Sequence, residues 1–278
     1  MTVQPAVVAH RGASAHRAEH TLAAYALALE QGADGLECDI RVTRDGHLVC
    51  VHDRKVDRTS SGSGVVSELT LDRLAELDFG HWHDELPASA DALVRQPLAA
   101  PSAPPVERGL LTLEALLGLV ADTGVKLFVE TKHPVRYGGL VEAKLVALLT
   151  RYGLASPATK DDSRVVMMSF STLAVRRMRE YAPRVPTVLL LGRLSAARRD
   201  GTLPPWADYT GPGVHLLRAD PDYVARSAER GHDTYCWTVD EPADVELCRR
   251  LGVRYLATNS PRNTRHLLGS AESATVAP

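Results

Sequence analysis

The chain has 278 residues, 45% of them hydrophobic and 24% charged, so it carries apolar material for a sizeable core and falls outside the disordered classes. A formal charge of −2, from 32 basic and 34 acidic residues, argues against nucleic acid or an acidic membrane surface as the main partner and makes any attraction for an anion local. The opening segment has no basic region and reaches His10-Arg11 after a short apolar run, so neither a signal peptide nor an anchor is read there and a cytoplasmic location is expected.

Apolar, β-branched runs alternate with amphipathic segments along the chain. Strands are expected at Ala6–His10, Gly35–Val42, Leu48–His52, Lys126–Lys132, Val165–Phe170, Thr187–Leu191, Thr234–Val239 and Tyr255–Asn259. Helices are expected at Thr21–Gln31, Thr112–Thr123, Leu140–Tyr152, Leu173–Tyr181, Tyr223–Arg230 and Pro242–Leu251. Eight strands with interleaved helices, and no Gly-x-Gly-x-x-Gly after the first, predict an α/β fold of the TIM-type (β/α)₈ barrel class rather than an open sheet, with distortion of the barrel by a β-hairpin as the variant.

The rhythm breaks between Asp53 and about residue 110, where a Ser/Gly run, a short helix at Leu71–Leu77 and a Pro/Ala-rich run from Pro87 to Pro105 follow one another. This stretch reads as an insertion that enters directly after His52 and caps one side of the barrel mouth, with a plain solvated loop as the alternative for its Pro/Ala half. A single barrel domain over 1–269 and a flexible tail over 270–278 complete the organisation. The four cysteines include no C-x-x-C pair and read as buried thiols; a Cys38–Cys50 disulfide across the hairpin is the alternative for a secreted form.

Glu37-Cys38-Asp39 sits in an apolar strand, where residues two apart project together, so two carboxylates share one face. Alone, such a pair is ordinary on a solvent-facing strand. The turn Thr43-Arg44-Asp45-Gly46 changes the balance, because a hairpin whose turn is centred on this segment sets His52 opposite Glu37. Phe128-Val129-Glu130-Thr131-Lys132 repeats the spacing and adds a third carboxylate and a cation; a surface ion pair is its simpler reading. Three oxygen donors without a Cys or His cluster suit one hard divalent ion, Mg²⁺ or Ca²⁺. His10-Arg11-Gly12 closes the first strand with an imidazole, a guanidinium that can grip phosphoryl oxygens, and a residue that lets backbone approach a ligand.

In order along the chain, His10-Arg11-Gly12, Ala18-Glu19-His20-Thr21, Glu37-x-Asp39, Thr43-x-Asp45-Gly46, His52-Asp53, Glu130-x-Lys132 and Trp237-Thr238-Val239 resemble the motifs of the glycerophosphodiester phosphodiesterase family. The resemblance covers nearly the whole chain, including Asp57-Arg58-Thr59 and Leu69-Thr70-Leu71 of the insertion. It implies a TIM-type barrel with a small cap that hydrolyses glycerophosphodiesters to glycerol 3-phosphate and an alcohol. It further implies that Glu37, Asp39 and Glu130 bind the metal, that Arg11 and Lys132 hold the phosphate, and that His10 and His52 act as acid and base. Trp237 would line the glycerol end, and Glu19 would stand near the metal or orient a histidine. Ala18 departs from the family's usual proline, Asp240 from the asparagine after W-T-V, and Asn259 from the aspartate before Pro261.

A phosphodiester needs its charge neutralised, its nucleophile deprotonated and its leaving alkoxide protonated, and these residue types supply all three. Which histidine gives the proton is not readable from sequence. Two rivals remain at this level. A phospholipase-like diesterase needs an apolar rim beside the cap, for which Phe79 and Trp82 are the candidates; a binding module without turnover would have lost a histidine or a carboxylate.

Overall fold

The computed structural model describes residues 4–83, 106–136 and 138–275, with side chains to residue 269; the Pro/Ala half of the insertion lies outside the described residues. Among the described residues nine strands form one sheet: β1 Ala6–His10, β2 Gly35–Val42, β3 Leu48–Cys50, β4 Lys126–Thr131, β5 Val165–Ser169, β6 Thr187–Leu191, β7 Tyr209–Pro212, β8 Tyr235–Cys236 and β9 Tyr255–Thr258. All except β3 run parallel, in the order β7-β6-β5-β4-β2-β1-β9-β8. Parallel bridges between Thr210 and Thr234 and between Gly213 and Trp237 bring β7 back to β8, so the ring is nearly closed: a TIM-type barrel.

Two details correct the sequence reading. The run beginning at Leu48, counted among the eight strands, is the antiparallel arm of the expected hairpin on the edge of β2 and so is not a stave of the barrel. The eighth stave is instead β7, whose sequence Tyr-Thr-Gly-Pro has neither the length nor the apolar density that marks its neighbours. Helices also form at Val214–Ala219 and Pro261–Thr275, beyond those named from the sequence.

Why the chain folds this way follows from side-chain alternation in the staves. Outward residues such as Leu36, Cys38, Ile40, Leu127 and Val129 pack under the surrounding helices. Inward residues Val8, Phe128, Val166, Val188, Tyr209, Tyr235 and Tyr255 fill the barrel, with the Phe128 ring centroid 4.9 Å from that of Tyr255. Helices start where a hydroxyl can cap them: Thr21, Thr70, Thr112 and Ser171 each accept a hydrogen bond from a first-turn amide. The insertion has its own core, in which Val56, Val66, Leu74 and Phe79 pack against Val49 and Val51. Phe79 is therefore buried and offers nothing to an apolar rim, while Trp82 is 37% exposed.

All four cysteines are free and buried, as thiols were expected to be. Among the described residues no helix is long and apolar enough to cross a membrane.

Candidate active site at the carboxyl ends of the staves

Strand register gathers the acidic residues. His10 pairs with Glu37 between β1 and β2, and Asp39 pairs with Glu130 between β2 and β4. Paired residues of neighbouring strands face the same side, so the spacing of two within each strand becomes a single cluster at the barrel mouth. Glu37, Asp39 and Glu130 each offer an oxygen within 4.8 Å of the others, and all three are buried.

Two cations already touch this cluster. Lys132 Nζ lies 2.8 Å from Glu130 Oε1 and 3.3 Å from Asp39 Oδ1. Arg11 Nε lies 3.0 Å from Asp39 Oδ2 as an ion pair, but its buried N–H is not aligned for a hydrogen bond. His20 adds a third contact, with Nε2 3.0 Å from Asp39 Oδ2 and Nδ1 2.8 Å from the Tyr25 hydroxyl.

These contacts divide the trio. Burial works against ionised Asp39, but the hydrogen bond to His20 and the charges of Lys132 and Arg11 outweigh it and hold the carboxyl well below its ordinary range. Glu37 is driven the other way by burial and by the charge on Asp39, against the pull of Arg11. Glu130 follows it, raised by burial and Asp39 to about 8 despite Lys132. The cations present therefore do not neutralise the cluster. A buried, all-oxygen donor set short of positive charge fits a hard divalent ion.

The His10-Arg11-Gly12 turn sets the geometry beside it. Arg11 has φ +59° and Gly12 φ +85°, which turns the Arg11 amide toward Glu37 Oε2 at 3.0 Å. A Cβ on Gly12 would come within 2.7 Å of the Ala24 carbonyl carbon and Cβ. Gly12→Ala is accordingly expected to lose about 2–4 kcal/mol of folding stability in urea titration, and a loss below about 1 kcal/mol would contradict this reading of the turn.

The two histidines face different partners. Asn259 donates its amide N–H to Asp240 Oδ2 at 2.6 Å, which turns its Oδ1 to His10 Nδ1 at 2.8 Å. The proton of neutral His10 must then sit on Nδ1, leaving a lone pair on Nε2. Burial and the neighbouring Arg11 charge push His10 down to about 4. His52 instead has Nδ1 2.6 Å from Asp53 Oδ1 and is 32% exposed. Burial lowers its pKa as well, with the Asp39 charge and the Asp53 hydrogen bond opposing.

The hairpin argument brought His52 to the correct neighbourhood by an incorrect register. Thr43 pairs with His47 around a three-residue turn whose last member, Gly46, has φ +91°. That turn is one residue longer than the two-residue turn that would set His52 opposite Glu37, so Ile40 faces Cys50 and the register is shifted by one. His52 lies beyond the end of β3, where its carbonyl accepts two hydrogen bonds from Arg41, at 3.0 and 2.8 Å.

Glu19 stands beside the carboxylate trio, against Arg11, which pairs with Asp39. It joins two arginines, accepting from Arg11 Nη1 at 3.1 Å and from Arg58 Nη1 and Nη2 at 2.9 and 2.7 Å. Burial would raise it, but the Arg58 hydrogen bonds and the Arg11 charge hold it at about 2. Arg58 also donates to Asp53 Oδ2 at 2.6 Å, so a continuous chain runs from Arg11 through Glu19, Arg58 and Asp53 to His52. Sequence reasoning recognised Asp53, His20 and Arg58 as motif members and gave them no role. Their signal was present, but a role requires the contact.

Trp237 follows β8 and donates its indole N–H to the Gly211 carbonyl at 2.7 Å. Its ring meets Phe170 edge-on, 5.3 Å between centroids, and Lys132 Nζ lies 5.8 Å from the Phe170 centroid. An apolar wall thus stands beside the cationic side of the cluster, 45% exposed at Phe170.

Residues 10–263 match the model of the glycerophosphoryl diester phosphodiesterase family. The chain is 52% identical over 263 residues to a Mycobacterium tuberculosis protein described as probable glycerophosphodiester phosphodiesterase 1, covering 94% of this chain and 91% of that one. It is 34% identical to the glycerophosphodiester phosphodiesterase of Bacillus subtilis, over 91% and 83% of the two chains. Among solved structures, the Agrobacterium tumefaciens glycerophosphodiester phosphodiesterase superposes with a TM-score of 0.72 at 24% identity, over 96% of this chain and 100% of that one. An Oleispira antarctica phosphodiesterase in complex with the product sn-glycerol-3-phosphate gives 0.75 at 19% identity, over 96% and 97%. These two share the fold.

Proposed function

The chain belongs to the glycerophosphoryl diester phosphodiesterase family, and from that premise we propose that it hydrolyses glycerophosphodiesters to sn-glycerol 3-phosphate and an alcohol, with His10 and His52 as the acid–base pair and one divalent ion as cofactor. The observation that carries this reading is the registered cluster: three buried carboxylates, two cations and two differently partnered histidines meet at one end of the barrel.

Glu37, Asp39 and Glu130 would hold the ion, Mg²⁺ or Ca²⁺, and when bound it supplies positive charge to the phosphoryl oxygens. Arg11 and Lys132 sit beside that charge and can each turn donors to the same oxygens. Trp237 and Phe170 offer apolar contact for the carbon skeleton of the glycerol.

The partners of the histidines support an assignment of roles. His10 faces an amide oxygen, stays neutral and presents Nε2 as a base, to a water or to the neighbouring hydroxyl of the glycerol. His52 stands nearer solvent, and the Asp53 carboxylate on its Nδ1 works against the burial that lowers its pKa; we assign it the proton donation to the leaving alcohol. The insertion over 53–110 serves as the cap, bound to the mouth through Arg58, within one domain over 1–269.

The direct test is release of sn-glycerol 3-phosphate from glycerophosphocholine and related diesters, read by a coupled dehydrogenase assay with Mg²⁺, with Ca²⁺ and with chelator. Turnover is expected with at least one ion and loss of it in chelator. Release that persists unchanged in chelator would remove the metal from the mechanism, and no release from any diester would remove the activity.

A further inference from the structure

Glu142 is fully buried, yet it belongs neither to the carboxylate trio nor to the acid–base pair. It stands in the first turn of the helix Leu140–Arg151, the first helix after β4. Its Oε1 accepts a hydrogen bond from His133 Nε2 at 2.8 Å, and its Oε2 lies 3.7 Å from Arg177 Nη1, on the helix Thr172–Tyr181. Burial works against the ionised form, but the His133 hydrogen bond, helped by the Glu142 amide and the Thr131 hydroxyl, outweighs it and holds the carboxyl below its ordinary range. The buried Thr131 hydroxyl faces the carboxyl without being aligned for a hydrogen bond to it.

Thr131 and His133 are the residues on either side of Lys132. Alternation turns Lys132 toward the mouth, where its Nζ meets Glu130 and Asp39, and leaves both neighbours on the outer face. The pairing of β2 with β4 ends at Ile40 and Thr131, and the Lys132 amide adds one last bond, of 3.3 Å, to the Ile40 carbonyl. The chain therefore leaves the sheet at Lys132, and Glu142 grips it from behind just past that point. The Lys132 ammonium is drawn to two carboxylates, so reaching a phosphoryl oxygen as well demands a fixed backbone beneath it. A buried ionic contact adds little to stability by itself, because desolvation offsets the attraction; placement is what it supplies.

We propose, on the reading above in which Lys132 binds the substrate phosphate, that Glu142 is a positioning residue for Lys132. It holds the chain on the outer side of the strand so that the ammonium on the inner side meets the phosphate, and it takes no part in proton transfer.

The experiment is a double-mutant cycle on the Kd for sn-glycerol 3-phosphate, measured by calorimetry with Mg²⁺ or Ca²⁺ present. Glu142→Gln, close to isosteric, is expected to weaken binding about tenfold, the order that misplacing one charge-assisted contact costs. In a Lys132→Met background the same substitution should change Kd by less than about twofold, because the group it places is gone. Glu142→Leu/His133→Leu, which replaces the buried pair with apolar side chains, should unfold close to the temperature of the unaltered protein and bind as weakly as Glu142→Gln. An unchanged Kd in Glu142→Gln, or an equal change in both backgrounds, overturns the proposal, and so does loss of folding in both Glu142 variants. If the unaltered protein does not bind sn-glycerol 3-phosphate, the parent reading falls and this one with it; binding that is indifferent to Glu142 removes this inference alone.

Discussion

His52→Ala and His10→Ala should each lower kcat for glycerophosphocholine by about 10²–10⁴-fold, with thermal unfolding close to that of the unaltered protein. The two variants should separate on the p-nitrophenyl diester of glycerol 3-phosphate, whose leaving group departs without a proton. There His52→Ala is expected to recover to within about tenfold of the unaltered rate, because the step it assists no longer needs assistance. His10→Ala should stay slow on both substrates, because a nucleophile must lose its proton whatever group leaves. Equal losses on both substrates for both variants would overturn the division of roles. The division rests on unlike surroundings: Asn259, turned by Asp240, gives His10 a neutral acceptor, whereas Asp53, kept ionised by Arg58, gives His52 an anionic one.

How much of this was legible in the sequence depended on whether the signal was local. Spacing of two along β2 and β4 placed Glu37 with Asp39 and Glu130 with Lys132, because strand alternation is a property of a few residues. Register between strands was not legible. The hairpin slipped by one because its turn has three residues, a choice made by Thr43, Asp45 and Gly46 together: Thr43 Oγ1 bonds Asp45 Oδ1 and accepts from the His47 amide. β7 went unseen because Tyr-Thr-Gly-Pro draws its strand geometry from β6 and β8 rather than from its own composition. The departures at Asp240 and Asn259 looked like separate substitutions in sequence. In the fold they touch, and together they decide which face of the Asn259 amide His10 meets. Arg58 was equally invisible as a link, because its partners Glu19 and Asp53 lie on opposite sides of the gap between barrel and insertion.

The carboxylates, finally, should respond to neutralisation with very unequal losses of stability, although they share one site. Asp39→Asn should cost about 3 kcal/mol or more in chelator, because it leaves Arg11, Lys132 and His20 without the anion that they surround. Glu130→Gln should stay within about 1 kcal/mol of the unaltered protein under the same conditions, because burial and Asp39 already oppose its ionisation. Its raised pKa, about 8, also fixes a pH dependence. Between the ordinary carboxyl range and that value the folded protein holds a proton that the unfolded chain has released, so folding stability in chelator falls as pH rises through this window. A divalent ion displaces that proton, so saturation with Mg²⁺ or Ca²⁺ should flatten the slope and add about 2.7 kcal/mol at a hundredfold excess over Kd. Glu130→Gln should show neither the slope nor the full metal stabilisation. Calorimetric titration in buffers of different ionisation enthalpy counts the released protons directly. If metal binding releases none, Glu130 and Glu37 are not its ligands, and the ion belongs elsewhere in the mouth.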